Sequence, residues 1–196
     1  MKHLDKICVF CGSREGNDMV IIDAAQEAGE VFAKRNITLV YGAAKIGIMG
    51  VMAKSVLENN GKVIGIIPEF LKMKEVVHLG LTKLITTDTM HERKLRMHQE
   101  SDGFIALPGG MGTFEELFEI LTWQQLGLHQ KPIGLLNVNG FYNELIAMLE
   151  TMVKKGFLSI NHYNLLLIDT EIDNLLEKMG NFKKPRLPKW LSKDET

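Results

Sequence analysis

Cysteine is scarce in this chain of 196 residues: Cys8 and Cys11 are the only two, so no disulfide framework can be built. Their C-x-x-C spacing raises a redox or zinc site. Cys8, however, falls inside an apparent strand, Ile7 to Phe10, whereas a redox pair opens a helix whose N-terminus depresses the first thiol's pKa. No second Cys or His pair supplies the remaining zinc ligands. The pair is read as two small residues at the end of a first strand. Long apolar runs are also missing: no stretch approaches the ~18 to 20 residues that span a bilayer. The N-terminal MKHLDKICVF enters a charged, strand-like segment at once, and the expectation is a soluble, cytoplasmic protein.

Charge of either sign is nearly absent in the net. The 23 Lys and Arg stand against 24 Asp and Glu, leaving −1, which argues against a global field for holding a nucleic-acid backbone. Any phosphate site must be local. The six histidines show no H-E-x-x-H or other metal-ligand spacing, and no G-x-S-x-G nucleophile elbow is present. A Walker A ending and an acidic magnesium cluster are missing as well. The sequence therefore predicts no metal, no serine nucleophile and no triphosphate chemistry. The 11 methionines, among them Met49, Met52, Met90, Met97 and Met111, read as adaptable core filling.

What is present is a regular alternation. Short apolar or β-branched runs predict strands at Ile7–Phe10, Thr38–Tyr41, Val63–Ile67, Lys83–Thr86, Phe104–Leu107, Ile133–Leu136 and Leu165–Ile168. Amphipathic stretches between them predict helices at Met19–Arg35, Ile48–Asn59, Met90–Glu100, Thr113–Leu126, Phe141–Lys155 and Glu171–Met179. Alternation with continuous apolar strands predicts an α/β fold: a Rossmann-like, doubly wound parallel sheet in a three-layer α/β/α arrangement. The length suits one domain, placed at residues 1–181, followed by a basic, proline-containing tail over 182–196. In such sheets ligands sit beyond the carboxyl ends of the strands, so chemistry is expected in the loops after Phe10, Tyr41, Ile67 and Leu107.

Three of those loops are suited to a phosphate. After Leu107 come Pro108-Gly109-Gly110-Met111-Gly112-Thr113 and then a helix. Glycines allow close backbone approach, and free N–H groups at a helix start favour an anion. The loop Tyr41-Gly42-Ala43-Ala44-Lys45-Ile46-Gly47-Ile48-Met49-Gly50 resembles a dinucleotide fingerprint without its spacing. The third, Cys11-Gly12-Ser13-Arg14, offers the Ser13 hydroxyl and backbone. A monophosphate is the economical ligand for such a set.

Two side-chain clusters accompany the loops. Glu116 stands three residues after Thr113, which makes it either the capping-box partner of a Thr113 N-cap or a carboxylate at the binding end of the sheet, with Glu115 adjacent. A carboxylate there can stabilise an oxocarbenium-like centre, bind sugar hydroxyls or activate water. In Thr89-Met-His-Glu-Arg-Lys-Leu-Arg96, Thr89 caps a helix with Glu92 as its partner. Arg93 is either part of a charged helix face or a planar fork of donors for a phosphate or carboxylate.

The stretches TMHERK (Thr89 to Lys94), PGGMGTFEE (Pro108 to Glu116) and TWQQLGLHQKPIGLLNVNGFY (Thr122 to Tyr142) resemble the LONELY GUY (LOG) cytokinin-activating phosphoribohydrolases, a family also labelled possible lysine decarboxylases. The resemblance runs from the first strand through at least Tyr142. It implies a cytoplasmic homodimer that needs no cofactor and hydrolyses the N-glycosidic bond of AMP or N6-prenylated AMP, releasing base and ribose 5-phosphate. By the same resemblance Arg93 and Glu116 are the catalytic pair, and Gly109, Gly110, Gly112 and Thr113 form the phosphate and ribose loop. Glu75, Lys94 and Thr122 match further substrate contacts, with Ser13, Gly42 and Glu115 beside them. One departure concerns the second loop, which reads Gly42-Ala43 where the family has a glycine pair. Alanine tolerates positive φ poorly, so either φ is negative there or the backbone has moved.

Three rivals follow from the same residues. A pyridoxal phosphate decarboxylase requires a Schiff-base lysine in a recognisable setting, which no lysine here has. A non-catalytic nucleotide or pterin-cofactor carrier shares the fold type. A nucleic-acid binder conflicts with the near-neutral charge.

Overall fold

The computed structural model describes residues 4–72 and 77–183. Glu75 and tail residues 184–196 lie outside them.

Seven strands form one sheet: β1 (Lys6–Phe10), β2 (Thr38–Tyr41), β3 (Val63–Pro68), β4 (Lys83–Thr87), β5 (Gly103–Ala106), β6 (Ile133–Leu136) and β7 (Leu166–Asp169). Their order is β4-β3-β2-β1-β5-β6-β7, and every pairing is parallel. The helices are α1 (Met19–Lys34), α2 (Gly47–Glu58), α3 (Glu69–Lys72), α4 (Met90–Gln99), α5 (Met111–Gln125), α6 (Asn143–Lys154), α7 (Ile160–Tyr163) and α8 (Ile172–Gly180). This is the expected doubly wound, Rossmann-like α/β architecture. None of the helices is long and apolar enough to cross a membrane, among the described residues.

Burial explains the strand pattern. β3, β5 and β6 are buried along their whole length, as parallel strands covered on both faces must be. The edge strands β4 and β7 are more exposed. One face packs Ile7, Val9, Leu39 and Ile105 against Phe32, Met52 and Leu175 of α1, α2 and α8. The other packs Phe10, Val40, Phe104 and Ile133 against Met97, Leu117 and Leu149 of α4, α5 and α6. Cys8 belongs to the second core and Cys11 to the first. Both thiols are unpaired and buried, so their C-x-x-C spacing is a product of strand alternation.

Thr89 caps α4 as expected, accepting from the Glu92 N–H at 3.1 Å, and the Glu92 carboxylate turns back to the Asp88 N–H at 2.9 Å. At α5 the expectation fails. Gly110 is the N-cap, in extended backbone and with no side-chain cap bond, because the glycine loop lets the chain turn into the helix two residues early. Thr113 is therefore the third residue of α5 and Glu116 the sixth, too far along to reach back to the cap. The short α3, α7 and a 3-10 turn at Val138–Gly140 span too few residues for periodicity to reveal, and that turn delays α6 to Asn143.

Ala43 adopts φ +66, so the backbone keeps the left-handed conformation despite its methyl, at a cost of about 1 to 2 kcal/mol. Space explains how it is tolerated: the methyl rests against Gly65 of β3, where a Cβ would lie only 2.7 Å from it.

Tyr142 braces the sheet end from which the glycine loop departs. It is buried, its hydroxyl donates to the Leu107 carbonyl at 2.6 Å, and its N–H donates to Asn137 Oδ1 at 2.7 Å. Tyr142→Phe leaves that carbonyl without its buried donor and is expected to lower stability by about 1 to 2 kcal/mol. Urea denaturation at neutral pH checks this; an unchanged midpoint would mean the bond contributes nothing net.

Candidate active site

Strand order reverses between β1 and β5, so the loops leaving these strands diverge and open a crevice at the carboxyl end. They first run backbone against backbone. The Gly12 N–H donates to the Pro108 carbonyl at 3.1 Å, and the Met49 N–H to the Gly12 carbonyl at 3.3 Å. A Cβ on Gly109 would lie 2.8 Å from the Gly12 nitrogen and 2.1 Å from Thr113 Oγ1. A Cβ on Gly47 would lie 2.3 Å from the Ser13 carbonyl carbon. Glycine is required at these contacts because no side chain fits.

Gly110 and Gly112 differ: a Cβ on either would meet nothing within 4 Å. Protein packing does not demand glycine there; its absence of side chain keeps open the space over the start of α5. With Gly110 as N-cap offering no side-chain acceptor, the first amides of α5 are available to an anion, at the positive end of the helix dipole.

The crevice encloses about 230 Å³. β1 and its loop supply Val9, Cys11 and Ser13; the β2–α2 segment supplies Gly42 and Met49; α4 supplies Arg93 and Met97; the α5 start supplies Gly110 to Thr113 together with Glu116. Of the residues assigned from sequence, the structure thus brings Ser13, Gly42, Arg93, Gly110, Gly112, Thr113 and Glu116 together. Gly109 lies directly beneath, in contact with Thr113. Val9, Cys11, Met49, Met97 and Met111 were not anticipated. Met97 was findable, since it stands one helical turn after Arg93 on the same face.

Arg93 is buried and projects across Gly42, where a Cβ would sit 2.2 Å from Nη2. Nη1 reaches Met90 Sδ at 3.8 Å, and Nε is buried without a partner among the described residues. A buried guanidinium with unanswered donors is costly unless an anion completes it. Opposite stands Glu116, half-buried. Burial pushes its carboxyl up to about 7; Arg93 opposes the rise, Glu115 adds to it, Lys94 opposes it and Glu119 adds to it. Burial also drives the Cys11 thiol up, so it is no thiolate nucleophile.

Lys94, Glu115 and Thr122 take other positions. Lys94 donates to Glu115 at 2.6 Å and Glu119 at 2.9 Å, forming an ion-pair cluster between α4 and α5 outside the crevice lining. The Thr122 hydroxyl donates to the Phe118 carbonyl one turn back at 2.7 Å. Glu75 lies outside the described residues.

A doubly wound sheet whose switch-point crevice sets an open helix N-terminus beside a buried arginine and a carboxylate defines a Rossmann-like protein with a polar crevice at the carboxyl end of its strands. The family model described as "Possible lysine decarboxylase" matches residues 49–179. The cytokinin riboside 5'-monophosphate phosphoribohydrolases LOG2 and LOG1 of Arabidopsis thaliana are each 43% identical to this chain. Alignment with LOG2 covers 90% of this chain and 83% of the relative, and alignment with LOG1 covers 96% and 88%. A probable cytokinin riboside 5'-monophosphate phosphoribohydrolase of Oryza sativa, LOGL1, is 42% identical over 91% of this chain and 80% of its own. The chain belongs to this possible-lysine-decarboxylase family, the LOG family. Among solved structures, the molybdenum cofactor binding protein of Rippkaea orientalis superposes with a TM-score of 0.69 at 24% identity, covering 92% of this chain and 98% of its own. The Moco carrier protein of Chlamydomonas reinhardtii does so with a TM-score of 0.65 at 18% identity, covering 90% and 99%. These likenesses establish the shared fold.

The elevated Glu116 carboxyl has a consequence for stability. The folded state binds this proton more tightly than the unfolded chain, so the associated stability is complete below the ordinary value of 4.5 and is lost as pH rises through about 7. Glu116→Gln removes that loss. Relative to wild type it is expected to gain about 2 kcal/mol between pH 4 and pH 8, allowing for solvent screening. Urea titrations at the two pH values test it; a difference that does not grow with pH would show the carboxylate to be well solvated.

Proposed function

We propose that this chain is a phosphoribohydrolase: it hydrolyses the N-glycosidic bond of AMP or its N6-prenylated forms and releases the free base and ribose 5-phosphate. The observation behind this reading is the convergence of the open α5 N-terminus, Arg93 and Glu116 on one crevice of about 230 Å³. The phosphoribohydrolase activity of relatives 43% identical over most of the chain supports it.

In this mechanism the 5′-phosphate rests on the amides of residues 111–113, with the Ser13 and Thr113 hydroxyls beside it and Gly109, Gly110 and Gly112 permitting its approach. Arg93 answers its unused donors with the bound nucleotide and holds it against Glu116. The C1′–N bond breaks with its electron pair leaving on the base, which takes up a proton. Positive charge develops on the ribose, and the Glu116 carboxylate stabilises it. A water oxygen forms the new bond to C1′ and loses its proton through Glu116 to solvent. Glu115 and Lys94 act on this centre through their charges, and Glu75 and Thr122 are substrate contacts by family correspondence.

Activity then requires ionised Glu116, so kcat/KM falls as pH drops through about 7. Chromatography of free base from AMP and N6-isopentenyl-AMP, with the nucleosides as controls, is expected to show release from the monophosphates only. Arg93→Ala and Glu116→Gln are expected to slow it by about 10²- to 10³-fold. A folded protein that releases no base from either monophosphate would instead be a nucleotide carrier.

The protein is further proposed to act in the cytoplasm as a homodimer. Leu117 and Leu121 are buried in the core, but Leu95, Phe118, Leu126 and Leu128 are exposed, leaving apolar surface on α4, α5 and the turn that follows α5 for a second copy. Light scattering is expected to give about twice the 22.1 kDa chain mass, and a monomer mass at micromolar concentration would contradict it.

A further inference from the structure

Glu116 forms a wall of two cavities. The second is small, about 10 Å³, and its other walls include Lys94, His98, Glu119 and the rings of Phe104 and Trp123. That volume is close to the minimum for one water molecule, and a water is stable only where several polar groups meet it. Lys94 and Glu119 already satisfy one another at 2.9 Å. The Glu116 carboxylate has no hydrogen bond and His98 Nε2 is buried without one, both among the described residues.

The His98 ring is fixed in place. It stacks on Phe104 with centroids 5.8 Å apart and planes 10° apart, and meets Trp123 edge-on at 5.5 Å. Burial, the Lys131 ammonium on the His98 carbonyl and the neighbouring His129 ring push His98 down to about 4, so the imidazole is neutral near pH 7. A neutral imidazole keeps one N–H, and a buried nitrogen with no partner is destabilising.

The geometry points to a relay in which His98 Nε2–H donates to one water in this cavity and that water donates to the Glu116 carboxylate from behind the substrate crevice. His98 is then a positioning residue: it fixes the carboxylate's orientation and favours its ionised form, while Arg93 acts from the crevice side. The inference rests on the reading of Glu116 as the working carboxylate only for its catalytic consequence; the hydrogen bond itself is a property of the ligand-free protein. The other groups that face this pair are Lys94 from α4, Glu115 and Glu119 from α5, the Cys8 and Cys11 thiols of β1, and His129 and Lys131 beside His98.

The test is the titration of the Glu116 carboxyl carbon by ¹³C NMR in ligand-free wild type, His98→Phe and His98→Gln. Phenylalanine preserves the stack on Phe104 and removes the donor; glutamine retains a donor. The expected result is a Glu116 midpoint raised by at least about half a pH unit, roughly threefold in ionisation constant, in His98→Phe and near wild type in His98→Gln. The acid limb of kcat/KM moves upward with it while KM stays constant. An unmoved midpoint in folded His98→Phe, or equal shifts in both variants, would overturn the relay in favour of plain packing. Should His98→Phe not fold, the ¹⁵N resonance of Nε2 in wild type decides: it follows the Glu116 titration if the relay exists, and stays flat if it does not. A shifted midpoint in a protein that releases no base would uphold the relay and sink the hydrolase reading.

Discussion

Everything in the crevice depends on backbones touching where the sheet changes direction. Gly12, Gly47 and Gly109 bring the loops after β1, β2 and β5 so close that an added methyl would collide with main chain or with Thr113. Because these loops are locked to one another, the first turn of α5 is held at a fixed place relative to β1, and Arg93 arrives across Gly42. A substituent at any of these glycines would move backbone, which packed interiors resist, and the displacement would reach the first turn of α5.

The crevice places two charged groups in surroundings that suit neither. Arg93 is buried with a donor unanswered, and Glu116 is desolvated enough to titrate near neutrality. Each would be more stable in water. Their arrangement makes sense as groundwork for a ligand that brings negative charge to one and developing positive charge to the other, so that solvent has little left to reorganise during reaction. The ion-pair cluster of Lys94 with Glu115 and Glu119 pairs those three charges, leaving Arg93, among the described residues, as the cation that lines the crevice.

Much of this was legible in the sequence, for identifiable reasons. Continuous apolar strands such as Val63–Pro68 and Ile133–Leu136 announce burial on both faces, and strand–helix alternation then fixes the parallel fold. The glycine loop stands out by its place after a strand, whereas Arg93 and Glu116, each inside a helix, are open on pattern alone and are singled out by the resemblance to the LOG family. Other features depend on three-dimensional neighbours. The pattern Thr113-x-x-Glu116 imitates a capping box, and only the backbone path through Gly110 shows that it is not one. Pairing of Lys94 with Glu115 joins residues on two helices and leaves no local trace. Left-handed Ala43 contradicts alanine's own preference, and the space that admits it belongs to another strand.

That space ties two positions together sterically. An alanine at 43 can occupy its slot while 65 remains glycine, since any side chain at 65 would run into the Ala43 methyl and Leu81. Position 65 is thus held by two neighbours at once: even with glycine at 43, a side chain there would still meet Leu81, 2.4 Å from the added Cβ. Two residues 22 apart in sequence therefore share one volume, and the glycine that looks dispensable within β3 is the room in which a left-handed alanine of another loop sits.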